Sequence, residues 1–107
     1  MDVQRKHERY AYELNATVIF EGGEKHDGRL INFSLGGAFL NVDPLPSFGS
    51  KVTLIVDLPG VPKQSEIPCF VRWLKDGEGI GIQFEYIRPI EVWALSKLIR
   101  KIKNENQ

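Results

Sequence analysis

The sequence predicts a mainly β fold, a six-stranded antiparallel β-barrel followed by one C-terminal α-helix. Three observations predict it. Apolar residues recur at alternate positions through most of residues 12–84, Gly- and Pro-rich segments interrupt that alternation at short intervals, and after Pro89 the period becomes that of a helix. So many short strands leave few residues to cover sheet edges, and closure into a barrel satisfies their backbone hydrogen bonds.

Each element has its own signal. Leu14, Ala16, Val18 and Phe20 alternate with Asn15, Thr17 and Ile19 before Gly22-Gly23, so residues 12–20 read as a strand entering a hairpin. The second strand covers about Lys25 to Phe33, a turn follows at Ser34 to Gly37, and Ala38 to Val42 forms a short third strand. Asp43-Pro44-Leu45-Pro46 stops it, because proline cannot donate to a ladder. Val52, Leu54, Val56 and Leu58 define the fourth strand, and Pro59-Gly60-Val61-Pro62 ends it. Ile67, Cys69, Val71 and Trp73 define the fifth. Asp76-Gly77-Glu78-Gly79 then turns the chain into Ile80, Ile82 and Phe84 of the sixth.

From Pro89, Val92, Leu95, Ile99 and Ile102 fall at helical spacing, with Lys97, Arg100, Lys101 and Lys103 elsewhere. Pro89 suits the first helical turn and the late cations suit the C-terminal end of the helix dipole. This stripe is expected to lie over one barrel opening. The chain then divides into an N-terminal arm (1–10), expected to be flexible and to close over a ligand, a barrel (11–87) and a helix (88–104).

Composition bounds the function. The chain has 107 residues, 42% hydrophobic and 26% charged, which suits one globular domain. Its formal net charge is zero, so the global field that accompanies non-specific nucleic-acid binding is missing. The charge is nonetheless segregated: basic ends flank an acidic middle. The single Cys69 excludes an internal disulfide, fits a reducing compartment, and is expected to be a small core residue. No apolar run approaches the roughly 18 residues of a membrane span. A cytoplasmic protein without membrane insertion is the expectation.

Two polar clusters carry the chemistry. Arg5-Lys6-His7-Glu8-Arg9 supplies two guanidinium forks, and Asn32-Phe33-Ser34-Leu35-Gly36-Gly37 supplies small polar groups with glycines that admit a ligand to the backbone. Together they predict a pocket for a small, planar, doubly anionic molecule.

The Arg-x-x-x-Arg spacing of Arg5 and Arg9, followed by Asn32-x-Ser34-x-x-Gly37, resembles the paired signature of the PilZ domain family. Gly79-Ile80-Gly81-Ile82-Gln83-Phe84 is similar to that family's last strand, and the likeness spans nearly the whole chain. The resemblance implies a PilZ-like split barrel and a receptor for the bacterial second messenger cyclic di-GMP, which would pass the signal to an effector protein. Arg5 and Arg9 would then clamp guanine edges and phosphates, which offer paired acceptors that lysine meets only as a point charge. Asn32 would meet a guanine edge, the Ser34 hydroxyl a base or phosphate, and Gly36 and Gly37 would line the approach. Lys6 and Trp73 are further candidates. Asn32 replaces the alternative Asp and so offers one acceptor oxygen rather than a carboxylate's two. The family arginine that goes with an intercalated ligand dimer is Gln4 here, which favours one bound molecule.

Each candidate has a simpler role beside this one. The first cluster reads alternatively as a solvated arm, and the second as a tight turn. Trp73, on an alternating strand, is expected in the barrel core, with stacking on a base as its competing role. Arg72 is expected to be an exposed strand residue and the basic helix face to be solvated. His7 and His26 lack the accompanying ligands of a metal site. Ser34 has no base or orienting group to make it a nucleophile, so no enzyme activity is expected, and no cofactor. A PilZ-like interaction module that does not bind nucleotide is the main alternative. Binding of DNA or RNA is opposed by the acidic middle.

Overall fold

A computed structural model describes residues 8–105. Arg5, Lys6, His7 and most of the expected arm lie outside these residues. The six strands are β1 (Tyr10–Phe20), β2 (Lys25–Phe33), β3 (Gly37–Val42), β4 (Lys51–Val56), β5 (Ser65–Lys75) and β6 (Gly79–Phe84), and the helix is α1 (Pro89–Glu105). The strands close in the order β1-β2-β3-β6-β5-β4, every pair antiparallel. The expected mainly β barrel with a C-terminal helix is therefore the observed architecture.

Alternation builds the core. Val18 of β1, Leu40 of β3, Leu54 of β4, Ile67, Cys69 and Val71 of β5, and Ile80 of β6 all point inward and are almost completely buried. Most of their outward neighbours are at least partly exposed, which fixes the register, since a slip of one residue would exchange the two faces. Cys69 is the small core residue its position predicts. Burial pushes its thiol pKa up to about 12, and Sγ donates to the Ile67 carbonyl at 3.2 Å.

Three bulges interrupt the ladders, between Ala11 and Leu14 in the β1–β2 pair, between Leu30 and Asn32 in β2–β3, and between Val71 and Trp73 in β5–β6. A bulge inserts one unpaired residue and re-aims the side chains beyond it. In β2 it lets Leu30 and Phe33, three positions apart, both face the core, which sends Asn32 outward. In β5 it breaks the Ile67-Cys69-Val71-Trp73 sequence of inward positions. Trp73 is consequently 42% exposed on the outside of the barrel, a correction to its expected place in the core.

The helix adds Ala94, Leu95 and Leu98 to the barrel core, with Ile99 and Ile102 partly buried against it. The face is rotated from the expected stripe, because Val92 is 37% exposed while Ala94 and Leu98 are buried. The first turn explains the rotation. Pro89 opens the helix, and the fully buried Glu91 turns inward as its third residue, accepting from the Arg88 amide at 2.8 Å through Oε1. Its Oε2 accepts from Arg88 Nε and Nη2 at 3.1 and 2.8 Å. This is the reciprocal half of a capping box, with a guanidinium fork added by the residue before the helix. Burial acts against the Glu91 carboxylate, but the bonds and charge from Arg88 outweigh it and hold its pKa below the usual carboxylate range.

Candidate functional site

The bulges in β2 and β5 bring four strands into one outward-facing row. Asn32 is opposite Phe39 across β2–β3, Phe39 is opposite Gly81 across β3–β6, and Gly81 is opposite Trp73 across β6–β5. Gly81 makes this row a platform. A Cβ there would lie 2.3 Å from Trp73 Cε2 and 2.4 Å from Nε1, so the indole rests on bare backbone. Lying in this way, it stacks on Phe39 with ring centroids 5.3 Å apart and planes 27° from parallel. Phe39 faces outward yet is nearly buried, because the indole covers it.

Arg9, immediately before β1, reaches across this row. Its Nη1 donates to Asn32 Oδ1 at 2.9 Å, and its Cζ lies 5.9 Å from the Trp73 ring centroid. One guanidinium therefore engages an amide oxygen and an aromatic face together, using both its planar donor fork and its cationic plane. Asn32 uses only the acceptor end of its amide here. Its two Nδ2 donors make no hydrogen bond among the described residues.

The Ser34–Gly37 turn borders the row where β2 passes into β3. The Ser34 amide donates to the Gly37 carbonyl at 2.8 Å. Its Oγ accepts from the amides of Gly36 and Gly37 at 3.1 and 3.2 Å, a side-chain substitute for backbone pairing. The Gly36 carbonyl accepts from the Phe84 amide at 2.9 Å. Gly37 is required by the neighbouring strand, since a Cβ there would sit 2.1 Å from the Ile82 carbonyl oxygen. Ser34 and Gly37 thus each have a place in the barrel itself, whatever else they contact.

The structure accordingly brings Arg9, Asn32 and Trp73 into one constellation and sets Ser34, Gly36 and Gly37 beside it, while Arg5 and Lys6 lie outside the described residues. Sequence reasoning missed Phe39 and Gly81. The available signal was the glycine itself, set between Ile80 and Ile82 within a strand, where it marks a close approach by another group. Arg72 is exposed. His26 packs on Phe20 with ring centroids 4.6 Å apart, and among the described residues no three His, Cys, Asp or Glu side chains gather as metal ligands would. No described helix is long and apolar enough to cross a membrane.

Comparison with known proteins follows the same direction. The chain superposes on the inhibitor of motility MotI (DgrA) of Bacillus subtilis with a TM-score of 0.78 and 23% identity, covering 99% of this chain and 55% of that one, about half of its length. It superposes on the PilZ domain of YcgR from Escherichia coli, solved with cyclic di-GMP, with a TM-score of 0.72 and 14% identity, covering 97% and 95% of the two chains. The PilZ domain of CeSA from a cellulose-synthesizing bacterium gives a TM-score of 0.63 and 17% identity over 94% and 99%. At these identities the likeness is one of fold. A comparison with curated proteins gives no match. The family model for the PilZ domain, however, matches residues 3–103, and with that match over nearly its whole length the chain belongs to the PilZ domain family.

Proposed function

We propose that this protein is a non-catalytic receptor for cyclic di-GMP that relays occupancy of its site to a partner protein. The observation that carries the reading is the position of the Arg9 guanidinium, bonded to Asn32 Oδ1 and placed over the face of Trp73. A guanine base needs both features: a fork that meets O6 and N7 in its plane, and a flat surface that accepts its π-face. The YcgR domain, similar in fold, is a PilZ domain solved with this nucleotide.

In this reading, Arg5 joins Arg9 from the segment ahead of β1, and the pair binds guanine edges and phosphates. Lys6 adds charge. Asn32 offers its Nδ2 donors to a base acceptor, the Ser34 hydroxyl hydrogen reaches a phosphate or base, and Gly36 and Gly37 keep that side of the site open. Ligand binding takes Arg9 out of its contact with Asn32, so the start of β1 moves and the partner meets a changed surface. Such a shift requires the nucleotide to prefer one arrangement over the other. One molecule is bound, in keeping with Gln4. Nucleic acids are not ligands, and the protein works in the bacterial cytoplasm, where the second messenger is made.

One observation favours the second reading, an interaction module indifferent to nucleotide. Ser34 Oγ accepts two amides of the turn and Gly37 lies against the Ile82 carbonyl, so the signature has a structural role of its own. Calorimetry with cyclic di-GMP separates the two. Saturable binding of one nucleotide, lost in Arg9→Ala and Arg5→Ala, supports the receptor. Absence of heat with the wild-type chain, or equal binding by both variants, rejects it.

A further inference from the structure

We propose that the groove between α1 and the loop joining β4 to β5 is the surface that receives the partner, and that the segment it receives is acidic and anchored by a large apolar side chain. The assignment rests on the receptor reading only for the existence of a partner; the groove is argued from its own residues.

The groove has a volume of about 670 Å³. The buried Ala94 and Leu98 and the half-buried Tyr12 give it an apolar floor, and the exposed Pro59, Lys97, Arg100 and Lys101 stand along its rim. All three cations are exposed, and among the described residues none forms an ion pair with a carboxylate. The one acidic residue at the groove is Glu105, near the end of the helix. A surface of this kind is complementary to a segment that is itself acidic, and its floor takes an aromatic or aliphatic side chain.

The wall opposite the helix is built in advance. The left-handed Gly60, at φ 88°, lets the loop turn beneath Trp93, and a Cβ on Gly60 would come within 3.1 Å of the indole. Lys97 Nζ lies 4.9 Å from the centroid of the same Trp93 ring, so ring, loop and cation hold one another in place. A preformed wall lowers the ordering cost of binding. A lipid surface fits less well, since the apolar residues lie at the bottom of a concavity and the cations stand above them. Nucleic acid fits less well because the groove holds a single aromatic, Tyr12, already in ring contact with Phe33, whereas strand binding uses a series of rings for successive bases.

The same Phe33 links groove and nucleotide site. It touches Tyr12 with ring centroids 6.4 Å apart and stands between Asn32 and Ser34 in the chain. The groove and the turn beside the nucleotide site thus both abut one buried ring.

The experiment pans a random 12-residue peptide display library against the immobilised full chain, in parallel with the variant carrying Lys97→Gln, Arg100→Gln and Lys101→Gln. These exposed changes leave the fold intact, as circular dichroism will verify. The expected result is enrichment of peptides rich in Asp and Glu around a Phe, Leu or Trp. Their affinity falls about tenfold in the variant, the sum of three exposed ion pairs, and their amide shifts in NMR map to Tyr12, Gly60 and Leu98. The proposal is overturned if no peptide is enriched, if enriched peptides are neutral or basic, or if the variant binds them equally. It is also overturned if an oligothymidylate or phosphatidylglycerol vesicles perturb these amides and acidic peptides do not. Titration of cyclic di-GMP in the same samples keeps the readings apart: peptide binding without nucleotide binding preserves the groove and removes the receptor, and the converse does the opposite.

Discussion

Trp73 and Phe39 stack on the outer face of the barrel, 5.3 Å apart, and they do so because Gly81 between them has no side chain. The first prediction tests that dependence. In Gly81→Ala the new methyl meets the indole at 2.3 Å, so Trp73 must leave Phe39. In a Trp93→Phe background, Trp73 emission should shift to longer wavelength as the ring becomes more exposed. Cyclic di-GMP affinity should fall by about tenfold, the value of one lost base stack of roughly 1–3 kcal/mol. Trp73→Ala should give the same loss of affinity. Retained affinity in both variants would remove the platform from the binding site.

Arg9→Lys tests whether the guanidinium plane, and not only its charge, is used. A lysine keeps the charge but cannot both donate to Asn32 and lie flat over Trp73. Binding of cyclic di-GMP by calorimetry should weaken by about tenfold or more, corresponding to a lost bidentate contact of roughly 1–3 kcal/mol. The melting temperature should change little, since Arg9 precedes the first strand and its bond to Asn32 and its place over Trp73 both lie on the outer face of the barrel. Equal affinity for Lys and Arg would reduce this position to a point charge.

How far the site was legible follows from where alternation holds. The six strands, their turns and the helix were readable because Val52-Leu54-Val56 or Ile67-Cys69-Val71 leaves only one register with a buried face. The spacing of Arg9, Asn32, Ser34 and Gly37 singled out residues that the fold places beside one another: Arg9 on Asn32, and Ser34 to Gly37 in the turn that follows. The outward position of Trp73 was not, because a bulge one residue long reverses the parity of everything after it and leaves no mark on the composition of β5. The rotation of α1 was hidden for a different reason. A periodicity count treats Glu91 as a surface residue, whereas its bonds to Arg88 let a carboxylate enter the interior.

Ser34 and Gly37 can be divided into structural and binding parts. Ser34→Ala removes the acceptor for two amides in a buried turn and should cost about 1–3 kcal/mol of stability, measured by urea unfolding. If the hydroxyl also donates to the nucleotide, affinity measured well below the melting transition falls as well. Gly37→Ala drives a methyl against the Ile82 carbonyl and should destabilise the β3–β6 pairing by about 1–3 kcal/mol or more, with or without nucleotide. A Gly37→Ala variant as stable as the wild type would mean that this close approach relaxes freely.

Glu91 makes the stability of the fold depend on pH in the acid range. Its pKa is lowered in the folded chain, since the bonds from Arg88 outweigh the burial that opposes the charge. The stability it contributes is therefore fully present above the unfolded carboxylate value of about 4.3 and is lost as pH falls through the lower folded value. Glu91→Gln should cost about 1–3 kcal/mol at pH 7, because a neutral amide replaces a carboxylate that accepts three hydrogen bonds. Urea unfolding from pH 7 to pH 3 should show the gap between wild type and variant closing below about pH 4, as the carboxylate itself becomes neutral. A gap constant over that range would assign the cost to packing and not to charge.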